Sequence, residues 1–266
     1  MEQVIIQKQD GIAVLMLNDP GSLNALSTQM THALREAFRD VDQDRSVRAV
    51  VLTGAGRAFS AGANLSAVHA LGEGDGKTLG QGVADWMDAC VNPLIREIRA
   101  CPVPVVCALN GLVSGGSVGL AFATDIVIAA RSSYVHLPFI PALGIVPDMG
   151  STWLLPKMIG HARTTALALL GERLSAEQAV QWGLIWRCVD DAALMDEARR
   201  TAARLALLPA GAAGEVRAAL DAGERNGLAA QLDYERDRQR ALIDRPEFAE
   251  GLQAFGERRV PAFAGR

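Results

Sequence analysis

Two short glycine-centred segments carry the residue types in this chain best suited to chemistry: Ser60-Ala61-Gly62-Ala63-Asn64-Leu65 and Asn110-Gly111-Leu112-Val113-Ser114-Gly115-Gly116-Ser117. Each follows an apolar run that reads as a strand, Ala49 to Thr53 and Val103 to Leu109. Each also places minimal side chains where backbone N–H groups can approach a ligand closely. Two such turns from distant parts of the chain can aim two amides at one oxygen, which is the anatomy of an oxyanion hole.

Three other motifs compete in or beside these segments. Gly54-Ala55-Gly56 imitates the start of a dinucleotide fingerprint, but Phe59 stands at the third glycine position. Gly111 and Gly116 have the spacing of a P-loop, yet Ser117 occupies the place of the phosphate-binding lysine. Gly115-Gly116-Ser117-Val118-Gly119 matches the G-x-S-x-G nucleophile elbow of hydrolases, with Asp148 and His161 following in the right order. Against that reading, an elbow serine sits directly at a strand end, and no histidine follows His161 to act as base. Ser117 reads better as a small residue in the first turn of a helix.

The elements around these turns alternate strand, glycine turn and helix, which favours an α/β architecture. Val4 to Asp10 and Ile12 to Leu17 form a strand pair turning at Asp10-Gly11. Ser27 caps a helix whose Met30, Leu34, Ala37, Phe38 and Val41 follow helical spacing. Ile126 to Ala129 is a further strand. Residues 72–82 contain five glycines, too flexible a composition for a regular element, and read as a surface loop or a lid. Ser175-Ala176-Glu177-Gln178 is a capping box opening a short helix that stops at Gly183, and Asp191 to Leu208 is strongly helical. Leu228 to Arg245 is a charged amphipathic helix, suited to solvent or to a neighbouring subunit. The expected organisation is a core over residues 1–199 with a helical region over 200–266.

Half of the 266 residues are apolar, enough for a sizeable core. The net charge of −4 without a long basic run argues against a nucleic-acid surface. No apolar run approaches the roughly 20 residues that span a bilayer, and the acidic start lacks a signal peptide's basic residues, so a cytoplasmic protein is expected. Cys90, Cys101, Cys107 and Cys188 have neither C-x-x-C spacing nor the density of a disulfide framework. The four histidines are scattered, so metal dependence is not expected.

Taken in order, a longer set of segments resembles the crotonase, or enoyl-CoA hydratase/isomerase, superfamily. These are Leu17-Asn18-Asp19-Pro20 with Asn24-Ala25-Leu26, then Gly54 through Leu65, Pro102 through Val106, Asn110-Gly111 through Gly116, and Asp125-Ile126. Leu143-Gly144-Ile145-Val146-Pro147-Asp148 and the C-terminal Glu250-Gly251, Ala254-Phe255 and Arg258 continue the set. The resemblance implies a spiral of ββα units with a C-terminal helical trimerisation region, and an acyl-CoA thioester as substrate and partner. Coenzyme A is then part of the substrate, no separate cofactor is needed, and the chain is expected as a homotrimer or a hexamer built as a dimer of trimers. On this mapping the N–H groups of Ala63 and Gly116 hold the thioester oxygen, and the helix opening at Gly116 adds its positive end. Ala25, Leu26, Ala61, Gly62, Asn64 and Leu65 correspond to the CoA-binding edge.

Departures from the family pattern set the subtype. The two positions where hydratases carry carboxylates are Gly119 and Ile140 here, the latter expected to line the acyl site, so addition of water is poorly provisioned. Asn64 replaces the aspartate common after the first oxyanion residue. Asp148, after Pro147, stands where some isomerase-type and dehalogenase members place their acid or nucleophile. One carboxylate can move a proton between two carbons of an allylic enolate, and burial beside an acyl chain makes it a better base. An alternative role for Asp148 is to cap the helix before Ser151-Thr152-Trp153. Val146 through Gly150, Thr152 through Pro156, Asn92-Pro93-Leu94, Gly183 through Trp186 and Leu232 through Asp237 resemble one subgroup in particular. Its members isomerise a ring epoxide of a phenylacetyl-CoA thioester in phenylacetate breakdown and also shift enoyl-CoA double bonds. Isomerase is therefore the first expectation. A hydratase using Asp148 with another acid, or a non-catalytic acyl-CoA-binding scaffold, are the alternatives.

Overall fold

The computed structural model describes residues 2–71, 76–263 and 265. Its strands are β1 (Val4–Gln9), β2 (Ile12–Leu17), β3 (Ala49–Gly54), β4 (Ala58–Ser60), β5 (Val105–Leu109), β6 (Leu112–Ser114), β7 (Ile126–Ala130), β8 (Tyr134–His136), β9 (Leu174–Ser175) and β10 (Arg187–Val189). The helices are α1 (Thr28–Gln43), α2 (Leu65–Ala70), α3 (Leu79–Trp86), α4 (Asn92–Ala100), α5 (Gly116–Phe122), α6 (Ser151–Leu170), α7 (Ala176–Gln181), α8 (Leu194–Leu205), α9 (Ala212–Gly223), α10 (Leu228–Ile243) and α11 (Pro246–Glu257).

Two sheets share these strands. One has six in the order β1-β2-β3-β5-β7-β10, parallel apart from the β1–β2 hairpin, and the other has four in the order β4-β6-β8-β9. Each of β3, β5 and β7 leaves the first sheet and within a few residues becomes β4, β6 or β8 of the second, before a helical segment returns the chain. This repetition is the ββα spiral. The predicted hairpin turns at Asp10 and Gly11, both with positive φ, and Ser27 caps α1 by accepting the Met30 N–H at 3.1 Å.

The six-stranded sheet is buried on both faces, and strand alternation divides it cleanly. Ala13, Leu15 and Leu17, Val50 and Leu52, and Val105, Cys107 and Leu109 face the larger core with α1 and α4. Ile12 and Val14, Ala49 and Val51, Val106 and Ala108, and Ile128 and Ala130 face Leu194, Ala198 and Ala202 of α8. The division expected between residues 199 and 200 thus falls inside α8, with Ala198 and Ala202 buried in the same cluster.

One expectation fails in the glycine-rich segment. Residues 72–75 lie outside the described residues, but α3 is a regular helix despite Gly80 and Gly82. Thr78 and Gln81 make a reciprocal capping box at its start. Gly82 lets the helix meet the preceding turn: a Cβ there would lie 2.0 Å from the Leu71 carbonyl oxygen. The helix continues through a π-helical stretch, Met87–Val91, into α4.

Candidate active site

The first turn is held by the segment before α1. Leu26 N–H donates to Gly62 O at 2.7 Å and Asn64 N–H to Leu26 O at 3.2 Å, a single parallel bridge between Leu26 and Ala63. In that register the flanking residues of Ala63 do the bonding, so its own N–H points away from Leu26. Among the described residues it has no protein acceptor. Ala61 N–H adds a bond to Leu23 O at 3.0 Å. Ala25 and Leu26 are buried beneath this edge, while Leu65 is exposed. The Asn64 side chain caps α2 by accepting the Ala67 N–H, which accounts for a residue of this type at that position.

The second turn arrives from β6. Gly115 adopts φ 57° and ψ −136°, and its N–H bonds to His136 O at 3.0 Å. Gly116 then opens α5, so its N–H is one of the donors a helix leaves unpaired. At Gly62 the two turns pack backbone against backbone. A Cβ on Gly62 would lie 2.6 Å from Ser114 O and 3.3 Å from Gly116 N. Ala63 and Gly116, 53 positions apart in sequence, are thereby brought together.

Asp148 joins them from the turn before α6. A Cβ on Gly116 would stand 3.0 Å from Asp148 Oδ1 and 2.7 Å from Met149 Sδ. That oxygen is buried and, among the described residues, has no hydrogen-bond partner. Desolvation pushes the carboxyl pKa up to about 6, offset only in part by its own backbone N–H. The side chain does not cap α6, whose N-cap is Gly150 with no side-chain bond. Met149, buried with φ 49°, and Gly150, φ 80°, form a left-handed turn that pins the carboxyl in place. Non-glycine residues held at positive φ concentrate at functional sites.

Gly119 and Ile140 lie differently from the triad. A Cβ on Gly119 would meet Met149 O at 2.1 Å, so no carboxylate fits there. Ile140 sits in a π-helical turn, Phe139–Leu143, and its carbonyl accepts the Gly144 N–H. Phe139 is the residue of that turn brought against the second glycine turn, its Cζ 4.0 Å from a Cβ on Gly115.

The hydrolase alternative is overturned by the geometry. Ser117 is fully buried with its hydroxyl bonded to backbone carbonyls, and His161 is exposed on α6. Residues not singled out from sequence are Met149, Phe139 and His136. The His136 imidazole lies 3.3 Å from Ser114 Oγ, and burial holds its pKa below the usual histidine range. The positive φ of Met149 has no sequence signal, since methionine rarely adopts it.

Comparison with known proteins identifies the family. The profile of the enoyl-CoA hydratase/isomerase family matches residues 7–266. The chain is 42% identical over 266 residues, covering 100% of both, to 1,2-epoxyphenylacetyl-CoA isomerase of Escherichia coli (strain K12). It is 40% identical to a probable enoyl-CoA hydratase of Rhodobacter capsulatus, over 97% of this chain and 96% of that one. The crystal structure of an enoyl-CoA hydratase from Polaromonas sp. JS666 superposes with a TM-score of 0.91 at 28% identity, covering 98% of this chain and 99% of that one. With its ββα spiral and full-length match, the chain belongs to the enoyl-CoA hydratase/isomerase family, whose members act on acyl-CoA thioesters.

Proposed function

We propose that this protein is an acyl-CoA isomerase that moves a proton between two carbons of an enolised thioester. Asp148 is the acid/base group, and the N–H groups of Ala63 and Gly116 bind the thioester oxygen. Ala25, Leu26, Ala61, Gly62, Asn64 and Leu65 form the edge that receives coenzyme A, and Ile140 belongs to the wall of the acyl site. Ionised Asp148 removes a proton from the carbon next to the thioester of a 3-enoyl-CoA. The C–H electron pair passes into a dienolate whose charge rests on the thioester oxygen, where fixed donors favour the transition state over the bound substrate. The protonated carboxyl then returns the proton to the far carbon, giving the 2-enoyl isomer with no net gain or loss of atoms.

The observation that carries this reading is a desolvated carboxyl beside Gly116 whose Oδ1 has no hydrogen-bond partner among the described residues, with no room for a second carboxylate at Gly119. Adding water needs one group to activate the water and another to protonate carbon, and one carboxylate suits proton transfer within the substrate instead. The name of the Escherichia coli relative supports the same choice and extends it to a ring epoxide as substrate. Assembly into trimers or hexamers in the cytoplasm completes the proposal.

Mass-resolved chromatography after separate incubation with a 3-enoyl-CoA and a 2-enoyl-CoA tests it. The expected product has a shifted peak and unchanged mass. A product heavier by one water identifies a hydratase instead, and binding without any product identifies a scaffold.

A further inference from the structure

The two proposed oxyanion turns follow β4 and β6, and the pairing of those strands stops short of the donors. Ala58 pairs with Leu112 and Ser60 with Val113, with a register shift between them. Beyond Ser60 and Val113 no ladder bond joins residues 61–63 to residues 114–116 among the described residues. Yet a 1 Å error in the placement of either N–H would spoil the convergence on one oxygen.

A buried hydroxyl takes over where the ladder ends. Ser117 Oγ lies 2.8 Å from Ser60 O and 2.7 Å from Ser114 O, and it accepts the Ser114 N–H at 3.0 Å. Ser60 is three residues before Ala63, and Ser114 two before Gly116. The single hydroxyl proton is shared between two carbonyls, one on each turn, while the oxygen holds an amide of the second. Ser117 and Ser60 are fully buried and Ser114 nearly so, hence water cannot replace these bonds cheaply. Ser60 Oγ extends the stitch by accepting the Gly62 N–H at 3.2 Å.

We infer that Ser117 is a positioning residue for catalysis, its hydroxyl setting the separation of the Ala63 and Gly116 N–H groups by tying Ser60 O to the Ser114 backbone. It touches no reacting atom. The inference rests on the isomerase reading above, because it assigns Ser117 to the oxyanion donors that reading invokes.

The test follows polarisation of the thioester carbonyl directly. A cinnamoyl-CoA thioester absorbs further to the red when its carbonyl oxygen is hydrogen-bonded, so bound cinnamoyl-CoA reports on the oxyanion donors whether or not turnover occurs. The proteins compared are wild type, Ser117→Ala, Ser117→Gly and Ser133→Ala. Ser133 is a matched control: it is buried, donates to Ala130 O at 2.6 Å, and belongs to neither oxyanion turn. Expected for both Ser117 variants is a smaller red shift and a kcat lower by about 10- to 100-fold, with KM little changed. Ser133→Ala keeps the wild-type shift and kcat. If either folded Ser117 variant retains the full shift and kcat, the inference is overturned while the isomerase reading stands. If wild type itself neither shifts the probe nor isomerises a 3-enoyl-CoA, the isomerase reading fails and the role of Ser117 fails with it.

Discussion

Asp148 combines two properties that oppose each other. Its carboxyl is desolvated, with Oδ1 lacking a partner among the described residues, which makes it a stronger base and also a burden on the fold once it ionises. Because the folded-state pKa of about 6 lies above that of the unfolded chain, the protonated carboxyl favours folding in acid. That contribution is lost as pH rises through about 6. Raising a carboxyl from its ordinary range to about 6 corresponds to about 3 kcal/mol. Asp148→Asn, which cannot ionise, is therefore expected to be more stable than wild type at neutral pH by up to that amount. The difference should shrink as pH falls through 6 towards the ordinary carboxylate range, and urea midpoints across that range check it. The family resemblance drew attention to Asp148 through its place after Pro147, and the fold sets that carboxyl beside Gly116. Met149 was not legible in the sequence: its importance lies in a positive φ that only the surrounding packing imposes.

At the scale of elements, the contact of α5 with the turn before α6 decides which chemistry has room. Gly119 packs directly on Met149 O, and Met149 in turn holds Asp148. Gly119→Ala is accordingly expected to lower stability by about 1–3 kcal/mol or more through overpacking, and to reduce turnover by displacing the 148–150 turn. Denaturant midpoints and kcat measured on the same preparation check both effects. A restored activity in Gly119→Glu as a hydratase would contradict this packing argument. The strand and helix order around the two glycine turns was readable from alternating apolar runs and caps, notably Ser27 and Ser175, whose side chains accept Met30 N–H and Gln178 N–H; the return bond from Gln178 that would complete a box at 175–178 is not seen among the described residues. Helix α3 was not readable, because its glycine content argues against a helix while the reason for Gly82 is its close packing on the Leu71 backbone. Local propensity is overridden there by packing, with the Thr78 and Gln81 box supplying the start.

For the molecule as a whole, Arg217 joins the Arg99–Asp221 and Lys157–Glu224 pairs in fastening α9 to the spiral. Arg217 of α9 is buried, pairs with both Asp125 oxygens at 2.6 and 2.7 Å, and donates to the carbonyls of Arg99, Cys101 and Val103. Removing one partner of such a pair leaves a poorly solvated charge and orphaned carbonyls, a loss of about 3–5 kcal/mol where burial is complete. Asp125 keeps partial access to water, so Arg217→Met is expected to cost less, and to speed hydrogen exchange in α9–α11 before the six-stranded sheet. Leu232, Ile243, Phe248, Leu252 and Phe255 on α10 and α11 are exposed, and in the proposed trimer or hexamer they are the apolar side chains a neighbouring copy would cover. Native mass spectrometry is expected to give three or six times the chain mass, and a monomer at high concentration would contradict that.

The most direct measurement is the rate of 3-enoyl-CoA isomerisation by wild type and Asp148→Asn as a function of pH. Wild-type kcat/KM is predicted to rise with pH to a plateau with a midpoint near 6, the pKa of the desolvated carboxyl. Asp148→Asn is predicted to bind acyl-CoA but to isomerise it about 10²- to 10⁴-fold more slowly, with no such midpoint. An asparagine variant that isomerises at the wild-type rate, or a wild-type profile without a midpoint in that region, would contradict the assignment of Asp148 as the group that carries the proton.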